Sequence, residues 1–163
     1  MRATLVKVLE VALVAGLYAV LTVAVAPASY GPLQFRISEV LKSLVIWEPH
    51  LVAAFVVGNF LSNLTSPYVG PWELLFMPFA NLVGASLCGW LGRYNKWMGA
   101  ASYALVIAAA VSLMLSVILN LPFIGLFPPL LASEAILIVG GVPVMEVVHR
   151  GILVLRGRLA SSR

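Results

Sequence analysis

An all-α membrane protein built as a bundle of six transmembrane helices is predicted by three features of this 163-residue chain. First, residues 11–35, 49–72, 74–92 and 97–133 carry no formal charge, in a chain that is 62% hydrophobic and 10% charged. A soluble domain of this size exposes too large a share of its surface to hide so much apolar material. About 20 apolar residues wound as a helix cross about 30 Å of hydrocarbon. Second, the apolar runs are continuous and lack the period-two alternation of a small membrane barrel. Third, most of the basic residues gather at Arg2 and Lys7, at Arg93 and Lys96, and at Arg150, Arg156, Arg158 and Arg163, as the positive-inside rule expects of cytoplasmic helix ends. A single membrane domain over residues 1–163 suits this length.

Helix 1 is expected over residues 4–26, ended by Pro27 and the turn Ser29-Tyr30-Gly31-Pro32. Its basic start precedes no persuasive cleavage site, so a retained helix is expected rather than a removed signal peptide. Ser38 can cap a short second helix through residue 46, with Glu48-Pro49 as the break. Helix 3 is expected over residues 50–63, and helix 4 over residues 72–90 with a kink at Pro78. Helix 5 follows over residues 96–119, and helix 6 over residues 130–148 after Pro128-Pro129. Six crossings put all three basic groups on the cytoplasmic side, with both termini inside. Five crossings strand one group outside. Helices 2 and 3 are short for full spans and are expected to stop inside the protein at a cavity.

Composition also narrows function. The net charge of +4 is not gathered into an aromatic-rich patch, so no nucleic-acid partner is expected. Cys88 is a lone cysteine, there is no aspartate and no Walker lysine motif, and His50 and His149 form no HExxH pattern. Neither ATP hydrolysis nor a metal or other cofactor is expected from these motifs.

The six-crossing topology sets Glu39, Glu73 and Glu134 near the external ends of helices 2, 4 and 6. They read either as independent first-turn acids or as convergent groups of one pocket open to the outside. Asn59 and Asn63 share a face of helix 3, and Asn81 lies within helix 4. Such amides either glue helices together or present donor–acceptor pairs to a planar heterocycle. Tyr68 and Trp72 are candidate stacking faces or interfacial anchors, and Trp47 reads as an anchor. Arg36, Glu39 and Lys42 are spaced three apart as a charged strip, and Gln34 with Arg36 is placed at a pocket mouth or in a polar surface loop. On helix 1, Ala12, Ala15, Gly16 and Ala19 allow close helix approach, either internally or to a partner subunit. Three function classes fit: a small-molecule transport subunit without its own motor, a membrane enzyme with Glu39 and Glu134 as its acid pair, and an assembly subunit that binds no ligand.

The segment Tyr30-Gly31-Pro32-Leu33-Gln34-Phe35-Arg36-Ile37-Ser38-Glu39 resembles the signature of the QueT family, substrate-binding S components of energy-coupling factor transporters for queuosine precursors. Gly58-Asn59 followed by Asn63, the stretch from Glu73 to Gly84, and Ser133-Glu134-Ala135 leading to Gly140 and Pro143 extend the resemblance over nearly the whole chain. Glu73 stands where aspartate is expected and Ser133 where glycine commonly precedes the acid, and both changes alter pocket size. The resemblance implies a six-helix S component, a pocket near the external face, and a connection between helices 1 and 2 that closes over it. It also implies the coupling protein EcfT and an ATPase pair as partners, with Ala15 and Ala19 matching the small-residue docking surface. The implied ligand is a 7-deazaguanine such as 7-aminomethyl-7-deazaguanine, recognised through Gln34, Arg36, Glu39, Asn59, Asn63, Glu73, Asn81 and Glu134. No catalytic activity of its own is implied.

Overall fold

The computed structural model describes residues 2–31 and 33–161, and every regular element among them is helical. Pro32 and Arg163 lie outside the described residues, as do the side chains of Arg2 and Arg158. Helix α1 (Arg2–Ala24) gives way to a single helical turn over Ala26–Ser29, since Pro27 has no N–H to continue the ladder. Helix α2 (Ile37–Ile46) is wound as a 3-10 helix for 10 residues, well beyond the usual length of that winding. Residues three apart then eclipse, so Glu39, Lys42 and Val45 form one buried column. A 3-10 turn at Pro49–Leu51 leads into α3 (Val52–Asn63).

Helix α4 (Trp72–Gly92) opens with a π turn over Trp72–Phe76. The Met77 N–H donates five residues back to the Trp72 carbonyl. Pro78 offers the Leu74 carbonyl no donor, so the expected disturbance at this proline takes the form of a widened turn. Helix α5 (Lys96–Leu119) is capped by the Asn95 side chain, which accepts from the Trp97 and Met98 N–H groups. Asn120 closes it in the left-handed conformation, with φ 53°.

Helix α6 (Phe123–Glu134) corrects the expected start at residue 130, because it runs through Pro128 and Pro129. The carbonyls these prolines leave without donors belong to Ile124 and Gly125, exposed residues whose carbonyls headgroups or water can reach. A second π turn, Ala135–Val139, joins α6 to α7 (Val142–Ser161). There the Gly140 N–H donates to the Ala135 carbonyl, and Pro143 withholds a donor from Val139.

Four stretches are long and apolar enough to cross a membrane: Thr4–Ala24, Trp72–Gly92, Lys96–Leu119 and Phe123–Gly157. Helices α2 and α3 are shorter, about 20 Å and about 18 Å long from their rise per residue. Two glycines set the spacing of the bundle. A Cβ at Gly58 would meet the Ala15 carbonyl oxygen at 3.0 Å and Tyr18 at 3.1 Å, so glycine lets α1 lie against α3. At Gly84 it would fall 2.5 Å from the Tyr103 ring, so glycine admits that ring between α4 and α5.

One end of the bundle gathers the charged helix termini. Lys96 lies 2.6 Å from Glu146, which also pairs with Arg150 at 2.8 Å. Arg156 reaches Glu10 at 2.7 Å and Glu48 at 3.0 Å. His50 Nε2 lies 2.7 Å from Glu10, and His149 Nδ1 lies 3.2 Å from Glu48. Trp47 stacks on the His149 ring at 5.7 Å. This cluster ties α1, the α2–α3 junction and α7 together, and it unites two histidines whose sequence positions show no pattern.

Candidate functional site

Towards the other end, the structure buries all eight residues expected to bind a ligand: Gln34, Arg36, Glu39, Asn59, Asn63, Glu73, Asn81 and Glu134. Their polar groups form one connected region between α1, α2, α3, α4, α5 and α6. Arg36 organises the mouth. Its Nε donates to the Ser29 carbonyl at 3.2 Å, one amino group to Asn63 Oδ1 at 3.1 Å, and the other to Gln34 Oε1 at 2.8 Å. Its guanidinium also stands 5.2 Å over the Tyr30 ring and 3.9 Å from Glu73. Gln34 adopts φ 48°, a left-handed conformation uncommon for a residue with a side chain. That strain is held by the bond to Arg36, and it leaves Gln34 Nε2 buried without a partner. Tyr30 pins the same loop to α3 by donating to the Ser62 carbonyl at 2.6 Å.

The amides line the α3–α4 side. Asn63 Nδ2 donates to the Glu73 carbonyl at 2.9 Å and approaches Asn59 Oδ1 at 3.3 Å. Asn81 is buried deeper, donating to the Met77 carbonyl at 3.0 Å and accepting from the Tyr103 hydroxyl at 3.1 Å. Below the acids lie Tyr18, Lys42 and Tyr103. Tyr18 donates to Glu39 at 2.5 Å, and Lys42 is ion-paired with the same carboxylate. The Lys42 ammonium lies 4.9 Å from the Tyr103 ring centroid.

Glu73 and Glu134 differ from Glu39 in their partners. Among the described residues, neither oxygen of Glu73 has a hydrogen bond, nor has Glu134 Oε2, nor the Ser133 hydroxyl beside it. Both acids sit at π turns: Glu73 within Trp72–Phe76, and Glu134 immediately before Ala135–Val139. Such turns re-aim side chains inward and recur at functional sites. Unpaired polar groups at this depth cost about 1–3 kcal/mol each, so the arrangement is suited to a polar ligand that supplies the missing donors.

Three members of the region were outside the expected set. Tyr18 and Tyr103 look like ordinary aromatic residues in apolar runs; a phenol in mid-span needs a partner, but the sequence does not say which face it occupies. Lys42 reads in the sequence only as part of a charged strip with Arg36 and Glu39. Tyr68 and Trp72, the expected stacking faces, are half-buried, and the Trp72 ring packs edge-on to Phe76 at 5.2 Å. On α1, Ala15 is buried beneath Gly58, whereas Ala12, Gly16 and Ala19 lie towards the outer face.

Over 61 residues the chain is 36% identical to the queuosine precursor transporter QueT of Lactococcus lactis subsp. cremoris (strain MG1363). That stretch spans 36% of each protein, about a third of the relative's length. No solved structure matches the chain. The family model described as QueT transporter matches residues 8–150, and therefore this multi-pass helical membrane protein belongs to the QueT transporter family.

Proposed function

We propose that the protein is the substrate-binding S component of an energy-coupling factor importer, taking a 7-deazaguanine precursor of queuosine from the external side. The observation that carries this reading is the buried polar region itself. Two amide-bearing helices, a strained loop and two acids with oxygens free of hydrogen bonds converge where short helices end, and those groups suit the N–H edge and ring polar atoms of a guanine-like base. The family membership and the name of the Lactococcus lactis relative support the ligand class.

In this reading α2 and α3 complete six crossings, with both termini cytoplasmic. Support comes from Lys96, Arg150 and Arg156, which meet acids at one end of the bundle, away from the polar site. The outer face of α1, through Ala12, Gly16 and Ala19, docks on the coupling protein EcfT, and a separate ATPase pair supplies the energy. Glu39 and Glu134 stand within reach of one another, but Glu39 already accepts from Tyr18 and is ion-paired with Lys42, which favours a binding role over the acid pair of an enzyme.

Calorimetry on the detergent-solubilised protein tests the assignment. 7-aminomethyl-7-deazaguanine should bind at least about tenfold more tightly than riboflavin, thiamine or biotin, since a mismatched ligand leaves buried groups such as Asn59 unpaired. Tight binding of one of those vitamins, with no deazaguanine binding, sinks the substrate and leaves the S-component architecture standing.

A further inference from the structure

Lys42 is as buried as the acids it sits among, with 0% of its surface exposed. A lone ammonium at that depth would be costly, and its surroundings explain its presence. The 3-10 winding of α2 stacks Lys42 directly on Glu39. The rings of Tyr103 from α5 and Tyr18 from α1 stand over its ammonium at 4.9 Å and 5.8 Å. Tyr18 donates to one Glu39 oxygen and Lys42 is ion-paired with the other, so each oxygen of that carboxylate has a partner within the protein. Arg36 stands at ion-pair distance from Glu73. Counted as ionised, two cations thus face three acids, and Glu134 is the acid left without a cation of its own. It lies within hydrogen-bonding reach of Glu39 and feels the charges of Glu39, Lys42 and Arg36, with no ion pair to either cation among the described residues.

We infer that Lys42 is a positioning residue that reserves Glu39 as an internal ion pair, so that the site carries one unmatched negative charge, at Glu134, and selects a ligand bearing one positive charge. This rests on the reading of the site as a deazaguanine pocket. Within that class it favours an ammonium-bearing base over a neutral analogue of the same shape.

The test is the ratio of dissociation constants for 7-cyano-7-deazaguanine and 7-aminomethyl-7-deazaguanine, measured by calorimetry in detergent. General damage to the pocket weakens both ligands alike and leaves this ratio unmoved. For the unaltered protein the amine should bind about tenfold to a hundredfold more tightly, the worth of one charge-assisted bond. Glu134→Gln should bring the ratio close to one. The double variant Lys42→Met with Glu39→Gln removes one charge of each sign; it should weaken both ligands yet keep the amine preference at about tenfold or more. Glu39→Gln alone frees the Lys42 ammonium and should abolish the preference. The inference is overturned if Glu134→Gln retains the preference, if the double variant loses it, or if the unaltered protein binds both bases equally. That last result leaves the deazaguanine reading intact. If neither base binds, the proposed ligand falls and thermal stability decides the role of Lys42. Lys42→Met alone should then lower the midpoint more than the double variant does (failure of the single variant to accumulate counts as the extreme of this), and equal losses overturn it.

Discussion

The cluster of Glu10, Glu48, His50, His149 and Arg156 and the region around Glu134 draw on the same kinds of side chain and treat them oppositely. In the first, each carboxylate faces Arg156 and a histidine, and the contacts close three helical elements upon one another. In the second, Glu39 is closed in the same manner by Tyr18 and Lys42, but Glu73, Glu134, Ser133 and Gln34 keep buried atoms without partners. In the first, only His149 Nδ1 is buried without a hydrogen bond among the described residues, and it lies at ion-pair distance from Glu48. A satisfied cluster lowers the free energy of the protein as it stands. An unsatisfied one raises it unless a bound group completes it. That contrast, rather than the presence of charge, separates the part of this molecule that holds it together from the part proposed to recognise a solute.

Substitutions at the two ends should therefore have different signatures. The largest effect is expected from Glu134→Gln, which should lower affinity for 7-aminomethyl-7-deazaguanine about tenfold to a hundredfold in calorimetry without loss of folded protein. The same titration on Glu48→Gln should change affinity less than about twofold. If the two variants behave alike, the distinction between the clusters fails. Next comes a comparison on α1. Ala15→Leu forces bulk against Gly58 and should cost about 1–3 kcal/mol of stability. Ala19→Leu, on the outer side, should leave stability and ligand affinity unchanged and abolish capture of EcfT in a pull-down. Retained capture by the Ala19 variant moves the docking surface elsewhere.

Glu48→Gln should itself lower unfolding stability in detergent by about 1–2 kcal/mol. This is less than a fully buried ion pair commands, because Arg156 is partly exposed. Lys96→Ala should have the smallest effect, below about 1 kcal/mol and with no change in ligand binding, since its bond to Glu146 is open to solvent. A loss of several kcal/mol there would show that the charged end is one cooperative unit and not a set of separable contacts.

Much of the architecture was legible in composition and punctuation. Helix α5 runs over the expected residues, because Asn95 and Asn120 are unambiguous cap residues around an uninterrupted apolar run. The burial of the amides and acids among the candidate ligand residues was legible as well, since polar groups in apolar stretches have few places to go but inward, whereas Gln34 and Arg36 read equally as a surface loop. Helix α6 was not. Pro128-Pro129 reads as a boundary, and only the exposure of Ile124 and Gly125 allows the helix to begin at Phe123 and pass through both prolines.

What the sequence by itself determined is therefore local: that helices form, where α5 is capped, and that acids and amides lie within apolar stretches of a bundle. Hydrophobic run length and cap chemistry act over a few residues, and each can be read one segment at a time. What only the tertiary structure decided is which polar group answers which. Tyr18 meets Glu39 across 21 positions, Tyr103 meets Asn81 across 22, and Arg156 meets Glu10 across 146. The 3-10 winding that sets Lys42 over Glu39 and the π turns beside Glu73 and Glu134 belong to the same level. The pairing of buried charges depends on helix rotation and packing, so the division between a satisfied acid and an open one appears only when all the elements stand together.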